Sequence, residues 1–191
     1  MDAGGIVVSN STGNTIRGNS LYGNGLAAGL NLDLGGDGST PNDPGDADGG
    51  VNTANEGMNY PVAHGITWGT GAPPQFGTVA LTVSGYLDVP PGSYEIDAYY
   101  DNGCSPTGRG GGMWVGEEPY TAFFAGIGAF SVPVYIPISF FAHASANDFG
   151  YDTATGRLSL TATSTGGTHH NTSELSSCLS VDTIFKDGFE R

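Results

Sequence analysis

The sequence has very little positive charge, and this absence excludes several classes of partner. Five Lys and Arg residues stand against 19 Asp and Glu residues, which gives a formal net charge of −14 at pH 7. Binding to a phosphate backbone requires clustered basic side chains, and so does adsorption to an anionic bilayer. We therefore expect no nucleic-acid partner and no attraction to an acidic membrane surface.

Long apolar runs are also lacking, and strong helix formers are scarce. No run approaches the roughly 18 consecutive apolar residues of a membrane-spanning helix, so we expect no membrane insertion. Gly, Thr, Ser and Asn are abundant, which favours strands and turns over helices. Hydrophobic residues still make up 38% of the chain, which is too many for a disordered acidic tail. We predict an all-β protein.

Cysteine is restricted to Cys104 and Cys178. Two residues cannot build a disulfide scaffold, and their spacing is not that of a zinc knuckle. One structural disulfide is the favoured interpretation, because a composition rich in Gly, Ser, Thr and Asn suits an extracellular protein; two free thiols in a reducing cytosol are the alternative. The first five residues have no basic or apolar stretch, so they are not a signal peptide, and a secreted form of this chain would be a mature fragment or a piece of something longer.

The N-terminal fifth of the chain carries an internal repeat. The tetrapeptides Gly5–Val8 and Gly29–Leu32 are similar and lie 24 residues apart. A period in the low twenties is typical of a solenoid, and a meander of ordinary hairpins is the alternative. The residues expected to point into the solenoid are Ile6, Val8, Ile16, Leu21, Leu30 and Leu32.

A single solenoid rung cannot bury its apolar face alone, because neighbouring rungs supply the rest of the core. The apolar face of these residues therefore needs cover. We expect that cover to come from upstream rungs, from the downstream domain or from another copy of the chain. The outermost strand edge would be a template for pairing.

The segment from residue 33 to residue 48 contains five aspartates and no basic residue. Its carboxylates belong to Asp33, Asp37, Asp43, Asp46 and Asp48. Glycines and prolines between them force turns that can gather oxygen ligands, and calcium takes six to eight such ligands. The spacing does not match an EF-hand loop. A calcium site is one interpretation of this loop, and a solvated acidic linker is the alternative.

Beyond residue 61 the pattern changes to strand-length segments separated by Gly, Pro and Asp. Apolar residues alternate through Thr78–Ser84 and Ser93–Tyr100, and turn signals recur at roughly regular intervals. This pattern is typical of a β-sandwich. Pro133 and Pro137 cannot donate hydrogen bonds to a ladder, so we expect their segment at an edge or a bulge.

Several of these stretches resemble the C-terminal region of secreted bacterial proteins with a right-handed parallel β-helix. GNTIRGNSLYGNG from residue 13 and LDLGGDGSTPNDPGDAD from residue 32 are similar to the last rungs and the acidic loop that follows them. YEIDAY from residue 94, CSPTG from residue 104 and NTSELSSC from residue 171 are similar to a following immunoglobulin-like domain. The resemblance implies that Cys104 pairs with Cys178 and that further rungs precede this chain.

The closing IFKDGFE, from residue 184, resembles a tail found on secreted proteins of xanthomonad-type bacteria. We therefore expect an extracellular or cell-surface location in a bacterium. The predicted fold is all-β, with partial parallel β-helix rungs followed by an immunoglobulin-like β-sandwich. The predicted regions are rungs over residues 1–34, an acidic loop over 35–60, a sandwich over 61–180 and a tail over 181–191.

No catalytic set is evident in the sequence. There is no G-x-S-x-G elbow, and Arg17 is the sole base in the repeat region, which is weak support for a lyase. We expect that this protein is not an enzyme. The alternative is that it is a fragment of a polysaccharide lyase or glycosidase.

The predicted function is that of a structural or adhesive β-protein, secreted or at the cell surface, which self-associates into a filament by strand addition between copies. The alternative is a carbohydrate-binding or carbohydrate-cleaving module of a larger β-helix enzyme. In that case Trp68, Trp114 and the tyrosines would stack on sugars, and surface glycans would be the partners.

Overall fold

The computed structural model describes residues 5–21, 24, 30–47, 54–70, 76–101, 104, 109–138, 156–168 and 170–181. The strands in these residues are β1 Ile6–Val8, β2 Leu32–Leu34, β3 Val62–Trp68, β4 Thr78–Val89, β5 Gly92–Asp101, β6 Met113–Ala122, β7 Gly126–Pro137, β8 Arg157–Ser164 and β9 Leu179–Ser180. A short 3-10 segment covers Ala54–Gly57. The all-β prediction is confirmed. Among the described residues, no helix has the length and apolarity to cross a membrane.

The two N-terminal strands pair in parallel. Ile6 lies opposite Leu32 and Val8 lies opposite Leu34, which contradicts the hairpin alternative for this pair. The register is two residues longer than the spacing of the similar tetrapeptides. Because side chains alternate with a period of two, this shift leaves the apolar residues on the predicted face. One parallel pair does not establish a β-helix, so that assignment stays a prediction.

The remaining strands form two antiparallel sheets, in the orders β3-β4-β7 and β6-β5-β8-β9. Residues from both sheets contribute to one hydrophobic core, so the predicted β-sandwich is confirmed. The first, second and fifth strands of the sandwich form one sheet, and the third, sixth and seventh lie together in the other. This grouping is that of immunoglobulin-like sandwiches, except that the fourth strand, β6, joins the second sheet instead of the first.

Strand β4 shows how the alternating pattern builds the core. Leu81 and Val83 are almost fully buried and lie opposite Val134 and Val132 on β7. Gly85 lies opposite Phe130, and a Cβ atom at this position would come within 2.4 Å of the Phe130 ring. The glycine therefore leaves the space that the phenyl ring fills.

The edge position predicted for the two prolines is confirmed. Strand β7 lies at the end of the three-stranded sheet, and Pro133 pairs only with Thr82 on β4. A proline on the outer side of an edge strand costs no ladder hydrogen bond. The predicted sandwich region begins one residue before β3, and the predicted tail beyond residue 181 lies outside the described residues.

Candidate functional site

The apolar face of the β1–β2 pair is covered by the sandwich of the same chain. Val8 and Leu32 are 6% and 1% exposed, and they form one cluster with Tyr99 of β5 and Leu175. Ile16 packs at its margin. Of the three covers that the sequence allows, the downstream domain is the one present, because Tyr99 and Leu175 present apolar surface beside β2. The apolar face itself therefore needs no second copy of the chain.

The backbone edge of β1 that faces away from β2 is a separate feature. The amide of Ile6 donates to Asn31, and the carbonyl of Val8 accepts from Gly35. In a parallel ladder successive residues bond to opposite sides, so the peptide groups of Val7 face away from β2. In the described part of the chain β1 pairs with no strand other than β2. The Val7 side chain is 48% exposed.

Arg17 fixes the N-terminal segment to the sandwich. Its guanidinium donates two hydrogen bonds to Asp97, at 2.6 and 2.9 Å, and a third to Glu117 at 2.8 Å. Asp97 is fully buried on β5 and also accepts a hydrogen bond from the indole of Trp114 at 3.0 Å. The hydrogen bonds to Asp97 raise the pKa of Arg17 further above its ordinary value. Arg17 thus acts as a charged anchor between the N-terminal segment and the sandwich.

The acidic loop uses several of its carboxylates to hold its own backbone. Asp33 accepts hydrogen bonds from the amides of Gly36 and Gly38, and Asp43 accepts from Ala47. In the described part of the chain, which does not include Asp48, no group of three His, Cys, Asp or Glu side chains is placed to hold a metal ion.

The other predicted calcium ligands differ in their surroundings. Asp46 accepts a hydrogen bond from the backbone amide of Asn59 at 2.7 Å, and Asp37 is exposed. Asp48 lies outside the described residues. Calcium binding by this loop stays a prediction, and the hydrogen bonds show how the loop can be ordered by its own side chains.

A buried ion pair joins the acidic loop to the sandwich. Arg109 and Glu174 are 5% and 1% exposed, and their nearest charged atoms lie 3.6 Å apart. Glu174 accepts hydrogen bonds from the amides of Leu34 and Thr40, both at 3.1 Å. Arg109 lies 4.2 Å above the ring of Tyr60. Burial raises the pKa of Glu174, while the Leu34 amide and the Arg109 charge oppose that rise.

Sequence reasoning missed this pair. Glu174 is a single acid among small polar residues, and Arg109 lies in a glycine cluster. Each is an isolated charge in a small-polar or glycine-rich setting, and that isolation is the only signal that the sequence offers. Their contact joins positions 65 residues apart, which no local pattern reveals.

The two cysteines form a disulfide, with 6.3 Å between their Cα atoms and a sequence separation of 74. This confirms the pairing that the resemblance implied and contradicts the alternative of two free thiols. The bond joins Cys104 to the segment that carries Glu174 and leads into β9. A disulfide is compatible with an extracellular protein.

A groove opens between the edge strands of the two sheets, β6 and β7. Its volume is about 410 Å³. The residues that line it include Met113, Trp114, Glu117, Pro133, Tyr135 and Pro137. We call it the Trp114 groove, and its lining is mainly apolar.

Two backbone features shape the Trp114 groove. The pairing of β6 with β5 shifts register at Val115, and such bulges redirect neighbouring side chains. Trp114 lies beside the bulge with its side chain 42% exposed. At Gly116 the two strands meet so closely that a Cβ atom would lie 2.2 Å from the Pro133 carbonyl oxygen. Trp68 lies on β3 in the other sheet, so the two tryptophans do not belong to one sheet face.

An apolar turn projects at the other end of the same two strands. Phe123 and Phe124 are 79% and 85% exposed, and Ile127 is 71% exposed. We call these three residues the Phe tip. Soluble proteins seldom expose large apolar side chains as a contiguous group unless the group contacts a partner. This turn was not identified from the sequence.

No protein-family model and no curated protein matches this chain. The resemblance to β-helix proteins therefore stays a prediction that depends on the residues quoted for it. The described geometry provides an anchored strand edge, an apolar groove and an apolar tip, which are features of binding surfaces.

Proposed function

We propose that the protein is a non-enzymatic structural or adhesive β-protein, secreted or displayed at a bacterial cell surface, whose copies associate by strand addition. The observation that carries this proposal is the outward edge of β1. Its pairing with β2 fills one side of the strand, and in the described residues the other side has no strand partner.

The strength of this edge as a template comes from its anchoring. An unpaired strand pays a large entropic cost before it can accept a partner. Here β1 is already extended and is held by Val8 in the cluster with Tyr99 and Leu175. Arg17 secures the following segment to Asp97. An incoming strand therefore meets a preformed ladder edge, the arrangement that proteins use for recognition by strand addition.

A proline at residue 7 tests this proposal. Val7→Pro removes an amide donor from the outward edge and leaves the hydrogen bonds between β1 and β2 in place. We expect wild-type protein to form filaments or oligomers in electron microscopy and sedimentation, and Val7→Pro to remain monomeric with a similar melting temperature.

Val7→Thr is the matched control, because it keeps the donor and a β-branched side chain. It should assemble as the wild type does. Dispersed wild-type monomers at high concentration would contradict the proposal, and so would assembly of Val7→Pro at the wild-type concentration.

A further inference from the structure

The Phe tip and the Trp114 groove lie on the same pair of strands but at opposite ends. Trp114 is eight residues before Ala122, the last residue of β6. At about 3.3 Å per residue, this separation corresponds to roughly 26 Å of strand. The tip follows directly after Ala122. The two surfaces are therefore too far apart to contact each other within one molecule.

The two surfaces are complementary in chemistry. The Phe tip presents three large apolar side chains that are 71% to 85% exposed, and no residue from Ala122 to Ile127 is charged. The groove is lined mainly by apolar side chains, and its volume of about 410 Å³ lies within the range of roughly 300–1,000 Å³ typical of cavities that hold a compact guest. Its one carboxylate, Glu117, is paired with Arg17.

Backbone pairing is obstructed on one side of this groove. Pro133 and Pro137 line the β7 side of the groove, and a proline cannot donate to a new ladder. On this side the groove therefore favours an occupant that inserts side chains over one that adds a strand. A turn that carries two adjacent phenyl rings is such an occupant.

Charge also favours a neutral contact between copies. The net charge of −14 makes two molecules repel each other at long range, and the repulsion weakens as salt screens it. Copies can approach most readily where both surfaces lack charge. The tip and the inner lining of the groove are such surfaces.

We propose that the Phe tip of one copy inserts into the Trp114 groove of the next. This inference rests on the proposed self-association and adds a second contact to it. Because the two surfaces differ and lie at opposite ends, the contact is heterologous and repeats along the strand direction. Copies joined in this way form an open chain, which deepens the proposed function by naming the partner segment.

The test uses one variant of each surface. Phe123→Ser with Phe124→Ser removes the rings of the tip, and Tyr135→Glu places a carboxylate in the groove. We expect each variant alone to lose filaments while its melting temperature stays close to that of the wild type. Phe76→Ser is the matched control, since Phe76 is fully exposed and belongs to neither surface; it should assemble normally.

Mixing the two variants gives the sharpest readout. The tip variant keeps an intact groove and the groove variant keeps an intact tip, so a mixture can form one tip-to-groove contact per pair of copies, in addition to the strand addition that both variants retain. We expect one-to-one association of the two variants in analytical ultracentrifugation that neither variant shows alone. Higher salt should lower the concentration at which wild-type chains assemble.

Three results would overturn this inference. One is assembly of the tip variant at the wild-type concentration, and another is a mixture that stays monomeric. The third is binding of a glycan on an array that Tyr135→Glu abolishes while the tip variant still assembles, because the groove would then be a sugar site.

The strand-addition proposal fails separately from this one. If Val7→Pro abolishes assembly and the tip variant does not, strand addition stands and insertion of the tip is wrong. If the tip variant abolishes assembly and Val7→Pro does not, insertion stands and strand addition is wrong. Wild-type chains that never associate contradict both.

Discussion

Several buried polar side chains in this protein bond to partners that are distant in sequence. Asp97 on β5 holds Arg17, 80 residues away, and Asn55 is fully buried while it donates to the carbonyls of Asn14 and Thr172. Such bonds offset the cost of removing polar groups from water. At the scale of single residues, the N-terminal segment is therefore attached to the sandwich by directed polar contacts in addition to the apolar cluster.

Tyr99 belongs to the same attachment and leads to a prediction on pH. Its side chain is buried, its hydroxyl accepts a hydrogen bond from the Gly18 amide at 3.2 Å, and burial raises its pKa to about 12, with the Asp97 charge adding to the rise. The ordinary tyrosine pKa is about 10. The folded state thus keeps this proton more tightly than the unfolded state does.

The sign of the effect follows from proton linkage. The contribution of Tyr99 to stability is fully present below about pH 10 and is lost as the pH rises to about 12, by about 2 kcal/mol. We expect Tyr99→Phe to lose correspondingly less free energy of unfolding over this interval, as measured by urea unfolding at each pH. Parallel pH profiles for wild type and variant would contradict the assignment.

Strand β6 carries a glycine, Gly116, at the point where it comes close to β7. Ala98 of β5 pairs with Gly116 of β6, and Gly116 faces the Pro133 carbonyl of β7. Since these two strands are hydrogen-bonded into different sheets, this approach closes one side of the sandwich. It also sets the floor of the Trp114 groove.

Gly116→Ala tests the importance of this approach. The new Cβ atom would meet backbone at 2.2 Å, and backbone cannot move aside cheaply, so we expect a loss of about 1–3 kcal/mol in the free energy of unfolding. Gly65→Ala is the matched control, because no atom lies within 4 Å of a Cβ at that strand position. The control should change stability by no more than about 0.5 kcal/mol. Equal effects of the two substitutions would show that the approach is not restrictive.

At the scale of the whole molecule, the N-terminal region and the acidic loop are joined to a sandwich that carries its own disulfide. The apolar cluster joins β1 and β2 to Tyr99 and Leu175, and the Arg109–Glu174 pair lies beside the loop residues that bond to Glu174. The disulfide links the chain near Arg109 to the end of the Glu174 segment. The described regions therefore stabilise one another instead of folding as separate units.

Removal of the disulfide is the prediction at this scale. The bond closes a loop of 74 residues, and the chain-entropy model assigns about 4 kcal/mol to such a closure. We expect Cys104→Ser with Cys178→Ser to lose about that much free energy of unfolding, with a clear fall in melting temperature. A reducing agent should lower the melting temperature of the wild type and leave the double variant unchanged. Insensitivity of the wild type to reduction would contradict this prediction.

Much of the sandwich was predictable because its information is local. Alternation along Thr78–Ser84 indicated a half-buried strand, and the prolines at 133 and 137 indicated an edge; the structure has both features. The candidate surfaces were less predictable. Trp114 was a candidate for stacking on sugars under the alternative function, but the groove beside it depends on a bulge and on a close approach of β7, and neither leaves a local signature.

The sequence by itself determined the all-β class, the sandwich, the edge strand and, through its resemblance, the pairing of Cys104 with Cys178. These follow from side-chain periodicity, from the missing amide of proline and from recognisable short motifs. Only the tertiary structure decided that the sandwich covers the β1–β2 face, that Arg17 is bound by Asp97 and that Asp33 and Asp43 hold loop backbone. The physical reason is distance along the chain. These contacts join residues that approach one another only after the sheets have packed, so no local sequence pattern indicates them.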